Sequence, residues 1–299
     1  MFTGDLPEGL NITSDLIQFI FAGLTAGAIY ALVALGFGVV HNTMGIVNFT
    51  QVDFVSLGGM VLYSALFALG LPMPAALVAG VAGVALIALA VEALGIRPSR
   101  SQSHLVLIFL TIGLSIILRG GMKLIWGKTS MAVPPLSGED PVKLLGATIL
   151  PQTLWIMALT ALAIVGLVFF FRKTPMGLAM RGVAANEAAA AAVGLKVWRV
   201  KAMSFALAGA LGGLAGCLVT PITTLAYDVG VLLGLKGFAA AILGGFGSFP
   251  GAILGGLLLG LLESLGAAYI SSAYKDVIAF VVLLLVLFIR PKGLLGSAG

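Results

Sequence analysis

Charged residues are scarce in this sequence. Asp, Glu, Lys and Arg make up 9% of its 299 residues, and apolar residues make up 60%. A soluble globular chain is about one-quarter charged. So little charge cannot cover the surface against water, so the fold class expected is an all-α polytopic membrane protein whose solvent is lipid. The first 96 positions contain no Lys or Arg at all, and Arg97 is the first basic residue. Cysteine is limited to Cys217, inside an apolar segment, which excludes an intrachain disulfide and a cysteine metal site. His41 and His104 are the two histidines, and no HExxH spacing occurs. No catalytic residue, metal site or cofactor is therefore expected. Gly121–Ser130 (GMKLIWGKTS) superficially suggests a phosphate loop, but its first glycine stands one position too early for GxxxxGK[ST] and no strand precedes it. Any ATP used by this protein must be bound by another chain.

The apolar runs present are long: Leu16–Val40, Phe54–Leu69, Ala75–Leu94, Leu105–Leu118, Leu154–Phe171, Met203–Val219 and Val277–Ile289. They predict about seven transmembrane helices in a single transmembrane domain spanning 1–299. The acidic stretch 1–15 lacks the basic start and short apolar core of a secretory signal and reads as a mature N-terminal tail. Bases concentrate at Arg97 and Arg100, at Arg172, Lys173, Arg181, Lys196, Arg199 and Lys201, and at Arg290 and Lys292. The positive-inside rule places these loops in the cytoplasm. The tail 1–15 then lies outside, and the C-terminal tail 290–299 lies inside. This distribution accounts for the +5 net charge without a nucleic-acid partner.

The same parity requires Lys236–Ser264 to start and finish outside. These residues are too many for one crossing, at about 1.5 Å per residue against a core of about 30 Å. Gly244, Gly245, Gly247, Pro250 and Gly251 interrupt the stretch. It is expected to be either a broken segment lining a route, as in many transporters, or a hairpin of two ordinary helices. Small residues at helical spacing (Gly23/Gly27, Gly209/Gly213, Gly212/Gly216, Gly251/Gly255, Gly256/Gly260) predict close helix packing.

Polar side chains are costly in such a chain. His41–Asp53 (HNTMGIVNFTQVD) separates two apolar runs. It reads either as a kinked segment beside a pathway, with Asn48 and Asp53 orienting backbone or lining the route, or as a loop capping the next helix with Asp53 in the first turn, where an acid suits the dipole. Glu263 ends an apolar run and is a candidate gating residue or a partner of Lys275. Arg119 and Lys123 are read as snorkelling to the interface.

The interval 174–201 is the most specific feature. Pro175 can open a helix. Asn186 is a good N-cap, with Glu187 in the first turn. Ala188–Ala192 favour helix, and Gly194 supplies a left-handed residue to end it. A helix this short needs something to pack on, either its own bundle or a partner with a groove.

Gly177–Leu195 (GLAMRGVAANEAAAAAVGL) resembles the cytoplasmic loop of ABC importer permeases. Nearly the whole chain resembles permeases of the branched-chain (hydrophobic) amino acid group: Tyr30–Phe54, Arg97–Arg100, Leu110–Leu118, Lys236–Ser264 and Tyr274–Gly296 follow their motifs in order. The resemblance implies a non-catalytic permease subunit in the bacterial cytoplasmic membrane. It would pair with a second homologous permease, rest on two ABC ATPase subunits and receive solute from a soluble binding protein outside. It also implies that Glu187, Ala188, Ala189, Ala190 and Gly194 belong to an ATPase-coupling helix. Asn48, Asp53, Gly244, Gly245, Gly247, Pro250 and Gly251 would shape the pathway. Two departures stand out: Glu187 is one residue farther from Gly194 than in EAAxxxG, and Val52 stands where relatives often carry Gly. The alternative function is an ion-coupled secondary transporter using Asp53 or Glu263 as its ion site.

Overall fold

The computed structural model describes residues 12–99, 103–144 and 147–296. Most of the 1–15 tail, Arg100 and the last three residues of the 290–299 tail lie outside the described residues. Among the described residues, the regular structure is helical apart from one small hairpin and a single bridge between Met131 and Leu225. In order come α1 (Ile12–Met44), α2 (Gln51–Phe67), α3 (Met73–Ala90), α4 (His104–Trp126), α5 (Pro151–Lys173), α6 (Pro175–Ala185), α7 (Glu187–Ala192), α8 (Val197–Val219), α9 (Val229–Gly244), α10 (Phe249–Tyr269) and α11 (Lys275–Ile289). A π-helical turn, Val91–Ile96, extends α3.

Among the described residues, six helices are long and apolar enough to cross a membrane: α1, α3 with its π turn, α4, α5, α8 and α10. The shorter apolar helices α2, α9 and α11 complete the bundle. Burial separates centre from rim. The apolar windows of α1 and α8 are 67% and 72% buried, whereas those of α4 and α5 are 17% and 22%. Rim helices keep apolar side chains on their outward faces because lipid is their solvent.

The glycine pairs explain how the central helices approach so closely. Gly23 and Gly27 of α1 face Gly256 and Gly260 of α10. A Cβ on Gly27 would stand 2.8 Å from the Leu257 Cα, and one on Gly256 would stand 2.7 Å from the Ala31 Cα. Gly209 and Gly213 of α8 receive Val84 and Ala88 of α3, while Gly212 receives Phe54 of α2. In lipid, backbone approach of this kind replaces the hydrophobic effect as the source of helix association. Val52, at the position where the family motif favours glycine, is accommodated by Gly230 and Gly234 on α9.

Residues 236–264 form a hairpin. α9 begins earlier than the sequence suggested, at Val229, and α9 and α10 are joined through Gly245–Ser248. Gly245 and Gly247 have φ of +105° and +92°, a region that glycine enters without steric cost. Ser248 caps α10 by accepting from the Gly251 amide at 3.2 Å, and Pro250 sits in its first turn, where its missing N–H is harmless. The turn is held by Asn42, whose Nδ2 donates to the Gly247 carbonyl at 2.8 Å. The C-terminal segment also holds it, through the Leu294 and Leu295 amides donating to Leu243 and Gly244. At the opposite end of the bundle, Val142–Leu144 and Ala147–Ile149 form a two-stranded antiparallel hairpin, which apolar periodicity had not indicated.

Candidate functional site

The α1–α2 junction is irregular backbone shielded by protein. Asn48, Thr50, Gln51 and Asp53 are all buried. The Asn48 Oδ1 accepts from the Thr50 hydroxyl at 2.6 Å and from its amide at 3.2 Å. The Phe49 amide donates to the Thr111 hydroxyl at 3.2 Å. Thr111 lies seven residues into α4, about 10 Å from its start, so the junction is sunk well into the bundle. Asp53 does sit in the first turn of α2, but it also accepts from Arg119 at 3.1 Å and from the Ser115 hydroxyl. The reading of Arg119 as a snorkelling side chain is therefore corrected. Its guanidinium turns inward because Asp53 is almost fully buried and needs a cation. Lys123, one turn on, is exposed as expected.

Glu263 stands in a second buried cluster. Its Oε1 accepts from the Lys236 ammonium at 2.7 Å, and its Oε2 accepts from the Tyr30 hydroxyl at 2.7 Å. Lys275, half exposed, lies 3.8 Å from the same Oε1. Tyr30, Lys236, Glu263 and Lys275 all line one cavity of about 520 Å³, whose other walls come from α1, α5, the end of α8, the α8–α9 connection and α9, among them Ile29, Val219, Leu232 and Leu233. Neither Asn48, Asp53 nor the Gly244–Gly251 turn lines it. Gly244 and Gly251 instead abut each other's backbone. Sequence reasoning missed Lys236 and Tyr30. A single Lys inside the apolar run Val229–Gly244 was the available signal.

Below this cavity, toward the α9–α10 turn, aromatic rings close the bundle. Phe37, seven residues beyond Tyr30 on α1, packs on Phe238 with centroids 5.4 Å apart. Phe238 also meets Phe49 and Phe246, at 6.0 and 5.7 Å, and Phe246 meets His41 edge-on at 4.6 Å.

On that same end lies α7. Asn186 accepts from the Ala189 amide at 2.9 Å, and Gly194 has φ +89°, so the helix begins and ends as its residues indicate. Glu187 pairs with Lys201 at 2.7 Å, tying α7 to α8. Ala190 is buried against the bundle, whereas Ala188, Ala189, Ala191, Ala192 and Val193 are exposed. α7 therefore packs on its own bundle by one face and presents a smooth, uncharged face outward. The Arg97 guanidinium, 4.7 Å above the Trp198 ring, is bonded to Glu92 at 2.5 Å. That bond raises the pKa of Arg97 above its usual value. No cluster of three or more potential metal-binding His, Cys, Asp or Glu occurs among the described residues.

These features define a class: a polytopic membrane protein with a charge-floored cavity toward one end and a small capped helix at the other. The family described as branched-chain amino acid transport system / permease component matches residues 19–287. The chain is 35% identical to the high-affinity branched-chain amino acid transport system permease protein LivH of Escherichia coli, over 94% of this chain and 95% of that one. It is 33% identical to BraD of Pseudomonas aeruginosa, a permease protein of the same description, over 97% and 98%. It is 28% identical to the guanosine ABC transporter permease protein NupQ of Bacillus subtilis, over 84% and 83%. The chain belongs to the permease component family of branched-chain amino acid transport systems.

Proposed function

We propose that this chain is the membrane permease subunit of an ATP-driven importer of branched-chain or related hydrophobic amino acids, working by alternating access without chemistry on the solute. The observation that carries this reading is the similarity to LivH across almost the full length of both chains. In this reading the α7 end faces the cytoplasm, the 290–299 tail lies beside it and the N-terminus is outside. That orientation follows from the basic loops that share the α7 end. Two ATPase subunits dock on the exposed alanine face of α7. A second homologous permease completes the pathway, and a binding protein delivers solute to the mouth near Lys275.

Closing of the ATPases moves α7, and Glu187–Lys201 passes that movement to α8, one of the two central helices. The aromatic stack around Phe238 closes the inner side while the cavity opens outward, and the two barriers alternate. Asn48 and Asp53 hold the α1–α2 junction in shape beside that route, and the Gly244–Gly251 turn lets α9 and α10 move as one hairpin.

Purification from a native membrane tests the assignment. Co-elution with ATPase chains and ATP-dependent uptake in proteoliposomes are expected. Full uptake by this chain alone, driven by an ion gradient, would establish the ion-coupled alternative instead.

A further inference from the structure

We propose that Lys236 and Glu263 are the solute-selecting pair of the permease, opening to receive a zwitterion that carries an ammonium and a carboxylate on an apolar body. The inference rests on the permease reading above and names the chemistry of its cavity.

The pair needs a reason to exist. Both side chains are nearly buried, in a bundle whose surroundings are lipid, where ionisable groups are costly and usually functional. A buried ion pair is seldom required for stability, since well-packed apolar residues of similar volume do as well or better. Neither group lies at a helix end, where it could reach the interface: Lys236 is seven residues inside α9 and Glu263 six residues inside α10. Both open onto the cavity.

The geometry fits an exchange of partners. Tyr30 holds the Glu263 Oε2 at 2.7 Å, which fixes the carboxylate while its Oε1 keeps Lys236 at 2.7 Å. An incoming ammonium can replace the Lys236 Nζ at Oε1, and the displaced Nζ then meets the carboxylate of the same solute. Every charge keeps an opposite neighbour throughout, so the exchange avoids an uncompensated buried ion. A zwitterion makes both new contacts, its ammonium on the Glu263 Oε1 and its carboxylate on the Lys236 Nζ, whereas a solute with one charge makes one of them and a neutral solute neither. Ala22, Ala26, Ile29, Val219, Leu232 and Leu233 supply apolar walls for the side chain. The volume of about 520 Å³ falls in the range of small-molecule sites, about 300–1,000 Å³.

The test uses the full chain in lipid nanodiscs and saturation-transfer NMR, which reads weak binding. The probes are leucine, 4-methylpentanoate and 3-methylbutylamine, which share one apolar body and differ in charge. Wild type is expected to bind leucine at least about tenfold more tightly than either singly charged probe, and Lys236→Met/Glu263→Leu is expected to lose both that preference and about tenfold in leucine affinity. Equal binding of the three probes by wild type overturns the proposal even if the double variant fails to fold. Retention of the preference by a folded double variant overturns it too. Co-purification of ATPase chains is scored separately: its absence alongside an intact preference counts against the permease reading, and its presence with no preference counts against the pair alone.

Discussion

At the residue scale, Asp53 and Arg119 show how unequal the two halves of an ion pair can be. The Asp53 side chain is 1% exposed and that of Arg119 is 30% exposed. Removing Arg119 strands a buried carboxylate, while removing Asp53 leaves a guanidinium that can still reach polar surroundings. Arg119→Met is therefore expected to destabilise the protein by about 3 kcal/mol. Asp53→Asn should cost clearly less, and the double variant should recover most of the loss. Chemical denaturation in detergent or bicelles measures all three, and equal losses from the two single variants would contradict this account. The pairing could not be read along the chain, because it joins residues 66 positions apart on two helices. Arg119 at the end of an apolar run has the same local signature as a snorkelling base. The pairing of Lys236 was illegible for the same reason: its partner is 27 residues away across the α9–α10 turn. Asn186 and Gly194, by contrast, act on amides and torsions within a few residues, so their roles were legible directly.

At the element scale, two contacts carry testable weight. The α1–α10 crossing depends on glycine against glycine. A Cβ on Gly27 would stand 2.8 Å from the Leu257 Cα, part of rigid helix backbone. Gly27→Val should cost about 1–3 kcal/mol through forced separation of the helices, visible as a lowered thermal midpoint. An unchanged midpoint would mean that the two helices do not lie so close. In α7 the cap is the vulnerable part. Asn186→Ala removes the acceptor of the Ala189 amide and should cost about 1 kcal/mol locally. Faster hydrogen exchange at Ala189 and Ala190 is expected, with the transmembrane helices unaffected, and protection equal to wild type would contradict the capping role. The helix count and most boundaries followed from apolar run length. The Val142–Ile149 hairpin did not, since strands of three residues leave no periodic pattern to detect. The depth of the α1–α2 junction was also hidden, because the Phe49 amide and Asp53 find partners on α4, and the Gln51 side-chain amide finds one on α8, far along the chain.

At the scale of the whole molecule, the cavity and α7 lie at opposite ends of one bundle, joined through α8 and α1. The proposed coupling between them requires α7 to be gripped from outside this chain. Ala189 is exposed and Ala190 buried, so Ala189→Trp probes docking without touching the bundle, whereas the same change at Ala190 would disturb packing. Ala189→Trp is expected to abolish co-purification of ATPase subunits and ATP-driven uptake while leaving thermal stability unchanged. Normal uptake would rule out docking on this face.

The most direct measurement concerns the side of the membrane on which α7 lies. Cys217, the single native cysteine, is fully buried, so an introduced cysteine reports without background. Ala191→Cys in intact cells should resist a membrane-impermeant maleimide and react once the membrane is permeabilised. Labelling from outside intact cells would place the alanine helix beyond the reach of any ATPase and contradict the account.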